Sequence, residues 1–261
     1  MLITREEAIK LKSNGWDTFK KMHLIYMDGI NRDVAVAELN YEAYKAFSDT
    51  ILMQKHADLI CEQNKIDEFL ESGKNIGVDE FPWPNAQLDF GRFRNYEYLK
   101  IGCGFELSLK SQLLSAGYVI HEIDKSASKY NELAKKQKDF PIKIDELMSI
   151  SGYMFNGTHN ILPGITSKSV QFSVILDKNA YRQSYSLDST TLDIISDYKE
   201  LRNSIHLPGD AVETNILKNM SWAEKITFIR NYIYEQIVTK NRLIVKNHNL
   251  GNVLNIEEWG R

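Results

Sequence analysis

What most limits the fold of this chain is the spacing of its apolar residues, which is helical over most of its length. Between Asp33 and Ile66, Val34, Ala37, Tyr41, Tyr44, Ala46, Phe47, Ile51 and Leu52 fall mostly three or four residues apart. That is the pattern of one or two amphipathic helices with a buried face. Thr4 followed by Glu7 is a capping-box signature ahead of Ala8, Ile9 and Leu11. Towards the other end, one helix is expected from about Thr190 to His206 and another from about Ser221 to Lys240.

The middle of the chain is less regular. The segment DEFPWPNAQLDFG, with two prolines and Asn/Gly turn residues, reads as an ordered loop. From about Asn95 to Ser115 a helix follows, strongest in its C-terminal half and capped by Gly117. Gly102 and Gly104 weaken its first half; they either permit close helix packing or mark the true helix start. KSASKYNELAKKQKDFPI reads as a charge-rich helix ending before Pro141. The tract from Ser151 to Asp188 is rich in Gly, Pro, Asn and Ser, and reads as irregular with a small hairpin at 168–185. The expected fold is mostly α. Residues 1–94 form an N-terminal helical extension plus Pro-rich loop, 95–240 a helical domain with an insertion at about 141–188, and 241–261 a C-terminal tail element.

Composition excludes some classes. Thirteen tyrosines and eleven phenylalanines are not the content of a disordered chain. Cys61 and Cys103 lack metal-ligand spacing, so neither a disulfide framework nor a cysteine zinc site is expected, and the setting reads as reducing and cytoplasmic. The opening MLITREEAIKLKSNGW carries acidic residues early and reads as neither a secretory signal nor an anchor. With no run of eighteen apolar residues, no membrane partner is expected. A net charge of −3 argues against a protein that coats nucleic acid, and is compatible with one local RNA-binding patch.

The stretch YKELRNSIHLPGD holds the best candidate chemistry. On a helical wheel Ile194, Tyr198, Leu201 and Ile205 form the buried stripe, and Ile195, Arg202 and His206 lie together at its edge. Pro208 stops the helix at Leu207, which puts His206 in the last turn. An imidazole can move a proton to or from an RNA 2′-hydroxyl or a departing 5′-oxygen. A guanidinium takes a phosphate in fork geometry and offsets charge developing on its oxygens. Asn203 can donate to a phosphate or hold its neighbours. The same residues also suit a plain helix end with capping and salt bridging.

LRNSIHLPG resembles the signature of HEPN domains, helical proteins of prokaryotic toxin–antitoxin, abortive-infection and CRISPR-associated systems, many of them metal-independent ribonucleases. Arg202 matches the signature Arg, Asn203 its frequent successor and His206 the His. Three residues, Asn203, Ser204 and Ile205, separate Arg202 from His206, one fewer than the family's usual minimum. The segment FELSLKSQLLSAGYVIHEID is similar to the earlier helix of that family. The resemblance implies that Glu106 and Lys110, one turn apart, face the Arg/His helix across the core. It further implies a HEPN-like helical bundle, a homodimer with two Arg/His sets in one cleft, an RNA substrate, no cofactor or metal, and control by an antitoxin or other regulatory protein. The expected activity is that of an endoribonuclease in antiviral defence or toxin function, with catalytic residues Arg202, His206, Asn203, Glu106 and Lys110. A non-catalytic helical interaction module of the same fold is the alternative.

Other features carry weaker chemistry. His121, Glu122 and Asp124 offer an imidazole and two carboxylates just past the Gly117 cap, where a surface loop or short strand is expected. Lys125, Lys129, Lys135, Lys136, Lys138 and Lys143 read as a solvated helix face or an RNA backbone contact. Tyr153, Phe155, Tyr181 and Tyr185 can stack bases or form core.

Overall fold

The computed structural model describes residues 29–63, 83–151, 164–204 and 215–248. Two long helices carry the frame, α1 (Gly29–Gln63) and α2 (Trp83–Ser115), packed along one another. On α2 the residues Tyr98, Ile101, Phe105, Leu109 and Leu113 are all within 1% of complete burial. Their spacing of three and four residues makes them one face of the helix. Phe105 is the hub: its ring centroid lies 5.0 Å from that of Phe47 on α1. It lies 5.4 Å from Tyr198 and 4.9 Å from Tyr232, further along the chain.

Gly117 ends α2. At φ +79 it adopts a left-handed conformation that L side chains rarely take. Its N–H donates to Leu114 O, and the Tyr118 N–H to Leu113 O, both at 2.9 Å. Those two bonds are the Schellman pattern, which satisfies carbonyls the helix leaves open.

Past the cap comes β1 (His121–Ile123), then a 3-10 turn (Ser128–Tyr130), α3 (Asn131–Lys136) and α4 (Ile144–Ser151). β2 (Ile165–Ser169) pairs antiparallel with β1, Ile165 against Ile123 and Ser169 against His121. Gln137 works as a clamp on β1: its Nε2 donates to His121 O at 2.9 Å and its Oε1 accepts from Ile123 N at 3.0 Å. One buried side chain thereby satisfies two backbone groups that a third strand would otherwise meet. Then follow α5 (Phe172–Asp177), α6 (Asn179–Arg182), α7 (Ser189–Ser204), α8 (Asn215–Asn219) and α9 (Trp222–Tyr232). α9 runs through a π-helical turn (Ile233–Val238) into α10 (Thr239–His248). The protein is mostly α with a small β element, as its periodicity leads one to expect.

Several local expectations are corrected. DEFPWPNAQLDFG is not a loop throughout: α2 begins at Trp83. Pro84 falls in its first turn, where a helix has no use for the missing N–H. The charge-rich helix is only the six residues of α3 after a 3-10 turn. No hairpin forms at 168–185, because β2 takes its partner from β1 and residues 172–182 are largely helical. Phe172, Ile175 and Leu176 are buried, the i, i+3, i+4 set of a helix. The expected helix at Thr4 to Lys12, and the segment HLPGD, lie outside the described residues.

Helix α7 is buried on more than one side. Ile194, Tyr198 and Leu201 are in the core, and so are Ile195, Asp197 and Lys199. The polar pair is compensated. Asp197 Oδ2 accepts from Ile216 N at 2.8 Å and Leu217 N at 3.2 Å, and Oδ1 accepts from Asn215 Nδ2 at 3.1 Å, which starts α8. Lys199 Nζ donates to Asp177 Oδ1 at 2.6 Å and pairs with Glu200 Oε1 at 2.9 Å. Burial disfavours the Lys199 ammonium, but those carboxylates outweigh it and hold its pKa above the usual range.

Candidate functional site

Four elements converge on Arg202, in the last turn of α7. Helix α2 supplies Glu106 and Lys110, stacked one turn apart. The Glu106 carboxylate bridges both cations, Oε1 accepting from Lys110 Nζ and Oε2 from an Arg202 terminal nitrogen. β2 supplies Ser169, whose Oγ accepts from Lys110 Nζ at 2.9 Å. α5 supplies Phe172, with the Arg202 guanidinium carbon 5.6 Å from its ring centroid.

Exposure is graded across the cluster. The side chain of Lys110 is 7% exposed, Glu106 15% and Arg202 26%. The inner lysine is therefore locked, whereas the arginine reaches solvent. Two cations against one carboxylate leave a local excess of positive charge on a protein that is acidic overall. Gly102, one turn before Glu106, makes room for the arginine stem: a β-carbon there would lie 2.8 Å from Arg202 Cδ.

The structure thus brings together three of the five residues singled out from sequence, Glu106, Lys110 and Arg202. Asn203 is exposed beside them. His206 lies outside the described residues. Ser169 and Phe172 were not legible as partners, since they arrive only through the pairing of β2 with β1, more than forty residues away along the chain. Gly102 did carry a signal, a glycine inside an otherwise helical run.

The weaker candidates resolve differently. His121 is buried in β1, Glu122 pairs with Lys168 at 3.6 Å, and Asp124 accepts from Ser126. Among the described residues no group of three or more His, Cys, Asp or Glu is placed to hold a metal ion. Tyr181 and Tyr185 belong to the core, 0% and 7% exposed, with hydroxyls donating to Gln137 O and Ile175 O. Neither can stack a base; Tyr153 and Phe155 lie outside the described residues. The lysines between 125 and 143 do not share one helix face. Lys136 pairs with Glu146, Lys129 lies over the Tyr130 ring, and Lys143 lies over the Tyr118 ring while donating to Ala116 O. Among the described residues no helix is long and apolar enough to cross a membrane.

No family model, no curated protein and no solved structure matches the chain.

Proposed function

We propose that this chain is a metal-independent endoribonuclease of the HEPN type, acting in the cytoplasm in phage defence or as a toxin restrained by an antitoxin or other regulatory protein. The supporting observation is the anchoring of Arg202. Glu106 fixes one terminal nitrogen of the guanidinium while the side chain keeps 26% exposure. A guanidinium fixed on the protein side and open on the other is suited to a phosphate. Lys110 adds positive potential behind it, and Asn203 is a surface donor beside it.

In the proposed reaction the RNA 2′-hydroxyl attacks the adjacent phosphorus and the bond to the departing 5′-oxygen breaks. His206 moves the proton, and Arg202 offsets the charge that develops on the phosphoryl oxygens. The products are a 2′,3′-cyclic phosphate and a free 5′-hydroxyl. The active form is a homodimer in which two Arg/His sets share a cleft. The test is purified full-length chain incubated with total RNA and a structured tRNA pool in chelator, beside His206→Ala and Arg202→Ala. Cleavage leaving cyclic ends, lost in both variants while each keeps its helical content, is the expected result. Cleavage abolished by EDTA and restored by magnesium, or a strict monomer by light scattering at tens of micromolar, would overturn the scheme.

A second reading is a non-catalytic HEPN-like helical interaction module. One observation favours it: Glu106 pairs with both Lys110 and Arg202, so the cluster is already a closed ionic network. On this reading His206→Ala alters melting and nothing else.

A further inference from the structure

On the opposite face of α2 from Glu106, the helices α1, α2 and α10 and the chain after α6 enclose a cleft of about 390 Å³. Ser111 and Ser115 line it, and they stand about 140° and about 180° around the helix from Glu106. Its volume suits a small molecule. Val36, Leu243 and Ile244 form an apolar wall.

Three side chains in the cleft, Lys240, Asn40 and Gln112, lack what their chemistry asks for. Lys240 is the one charged group among the described residues that line it. Its Nζ donates to Gln236 Oε1 at 2.7 Å, a neutral acceptor that leaves the charge uncompensated. Burial lowers the Lys240 pKa, the expected response of an ammonium short of a counter-charge. Asn40 is 2% exposed. Its Oδ1 accepts from Ser111 Oγ at 2.7 Å, and its Nδ2 has no hydrogen-bond partner. Gln112, 9% exposed, lines the same cleft, and neither its Nε2 nor its Oε1 has a hydrogen-bond partner. Three of these four open groups (Lys240 Nζ, Asn40 Nδ2 and Gln112 Nε2) are donors, so the missing occupant is chiefly an acceptor. Water would satisfy the amides but would not neutralise the ammonium. The π-helical turn Ile233–Val238 carries Gln236 and leads directly to Lys240. Turns of this kind inside α-helices occur frequently at functional sites.

We propose that this cleft binds a small organic anion, whose carboxylate or phosphate is received by Lys240 and Asn40 while a short hydrocarbon portion lies along Val36, Leu243 and Ile244. A cation finds no carboxylate among the described lining residues. A neutral ligand leaves Lys240 uncompensated. The site is independent of the ribonuclease reading and stands whether or not RNA is cleaved.

The test is calorimetric titration of the full chain with hexanoate, with phenyl phosphate and with the uncharged hexanamide. The expected result is saturation of one site per chain by at least one anion, with hexanamide at least tenfold weaker. The arm that binds tells carboxylate from phosphate ester. Lys240→Met should weaken the anion at least tenfold. Leu243→Asp, at a position 59% exposed, should weaken it by placing a like charge in the cleft wall without disturbing the core. Circular dichroism establishes that each variant is folded. The proposal is overturned if neither anion saturates a single site, if hexanamide matches hexanoate, or if Lys240→Met binds as wild type does. Should Lys240→Met fail to fold, unchanged affinity in Leu243→Asp overturns it.

Discussion

Arg202 lays its stem directly on Gly102: a β-carbon at position 102 would lie 2.8 Å from Arg202 Cδ and 2.9 Å from Arg202 Cβ. Helices α2 and α7 therefore approach as closely as an absent side chain allows. That approach delivers the guanidinium to Glu106, one turn further along α2.

Gly102→Ala tests this contact. Arg202 Cβ is fixed to its backbone, so the end of α7 has to move rather than a flexible side-chain tip. Overpacking of this kind costs about 1–3 kcal/mol, against about 1 kcal/mol gained from the better helix propensity of alanine. A net loss of stability is expected by urea denaturation, together with loss of any RNA cleavage. A variant more stable than wild type would mean that α7 yields freely and the contact positions nothing.

Glu106→Gln keeps the shape of the carboxylate and removes its charge. It leaves two cations facing a neutral amide, one of them 7% exposed. Breaking a buried ion pair costs about 3–5 kcal/mol, and the partial exposure of Arg202 places the expected loss near the lower end. Adding Lys110→Met removes the stranded ammonium and should restore part of that loss. A double-mutant cycle measures the coupling. Additive effects would show that Glu106 and Lys110 do not depend on one another.

The cap at Gly117 and the helical C-terminal half of α2 were legible from sequence because each rests on neighbours in the chain, a glycine free to take a positive φ in one case and an unbroken helical run in the other. The start of α2 was not, since Pro82 and Pro84 signal a loop unless a helix happens to begin there. The fate of Ser169 depended on strand pairing with His121, which no local pattern records. Helix α7 is buried further round than its apolar stripe indicates. A wheel puts Asp197 at one edge of the stripe and Lys199 on the far side, yet both are buried, because Asp197 caps a later helix and Lys199 meets Asp177. Of the candidate site, the one-turn spacing of Glu106 and Lys110 was visible, but the Gly102 gap that admits Arg202 needed the packed structure to acquire a purpose.

Asp188 gives α7 a pH-dependent start. Its carboxylate accepts from Thr191 N at 2.8 Å and from Thr191 Oγ1 at 2.9 Å, and these bonds lower its pKa. A carboxylate depressed in the folded state stabilises above its unfolded pKa of about 3.9, and that contribution disappears as pH falls through the folded value. Asp188→Ala should cost about 0.5–1 kcal/mol at neutral pH. The gap in melting temperature from wild type should narrow as pH drops from about 5 towards about 2. A gap that stays constant across that range would remove the carboxylate as its source.

Arg202→Lys separates charge from geometry at the proposed centre. Lysine keeps the positive charge and can still pair with Glu106, so the ionic network survives and melting should change by less than about 1 kcal/mol. It loses the planar fork, and a single ammonium held by Glu106 cannot also grip a phosphate through two parallel N–H bonds. Charge-assisted hydrogen bonds are worth about 1.5–3 kcal/mol, so kcat/KM for RNA should fall by roughly ten- to a hundredfold. The interaction-module reading expects no cleavage by either protein and an unchanged melt, because pairing with Glu106 is then all that Arg202 does and lysine supplies it. Single-turnover cleavage beside thermal melts of the same preparations decides between them. Unchanged cleavage in a folded Arg202→Lys variant would take the guanidinium out of the chemistry and leave it a strut between α2 and α7.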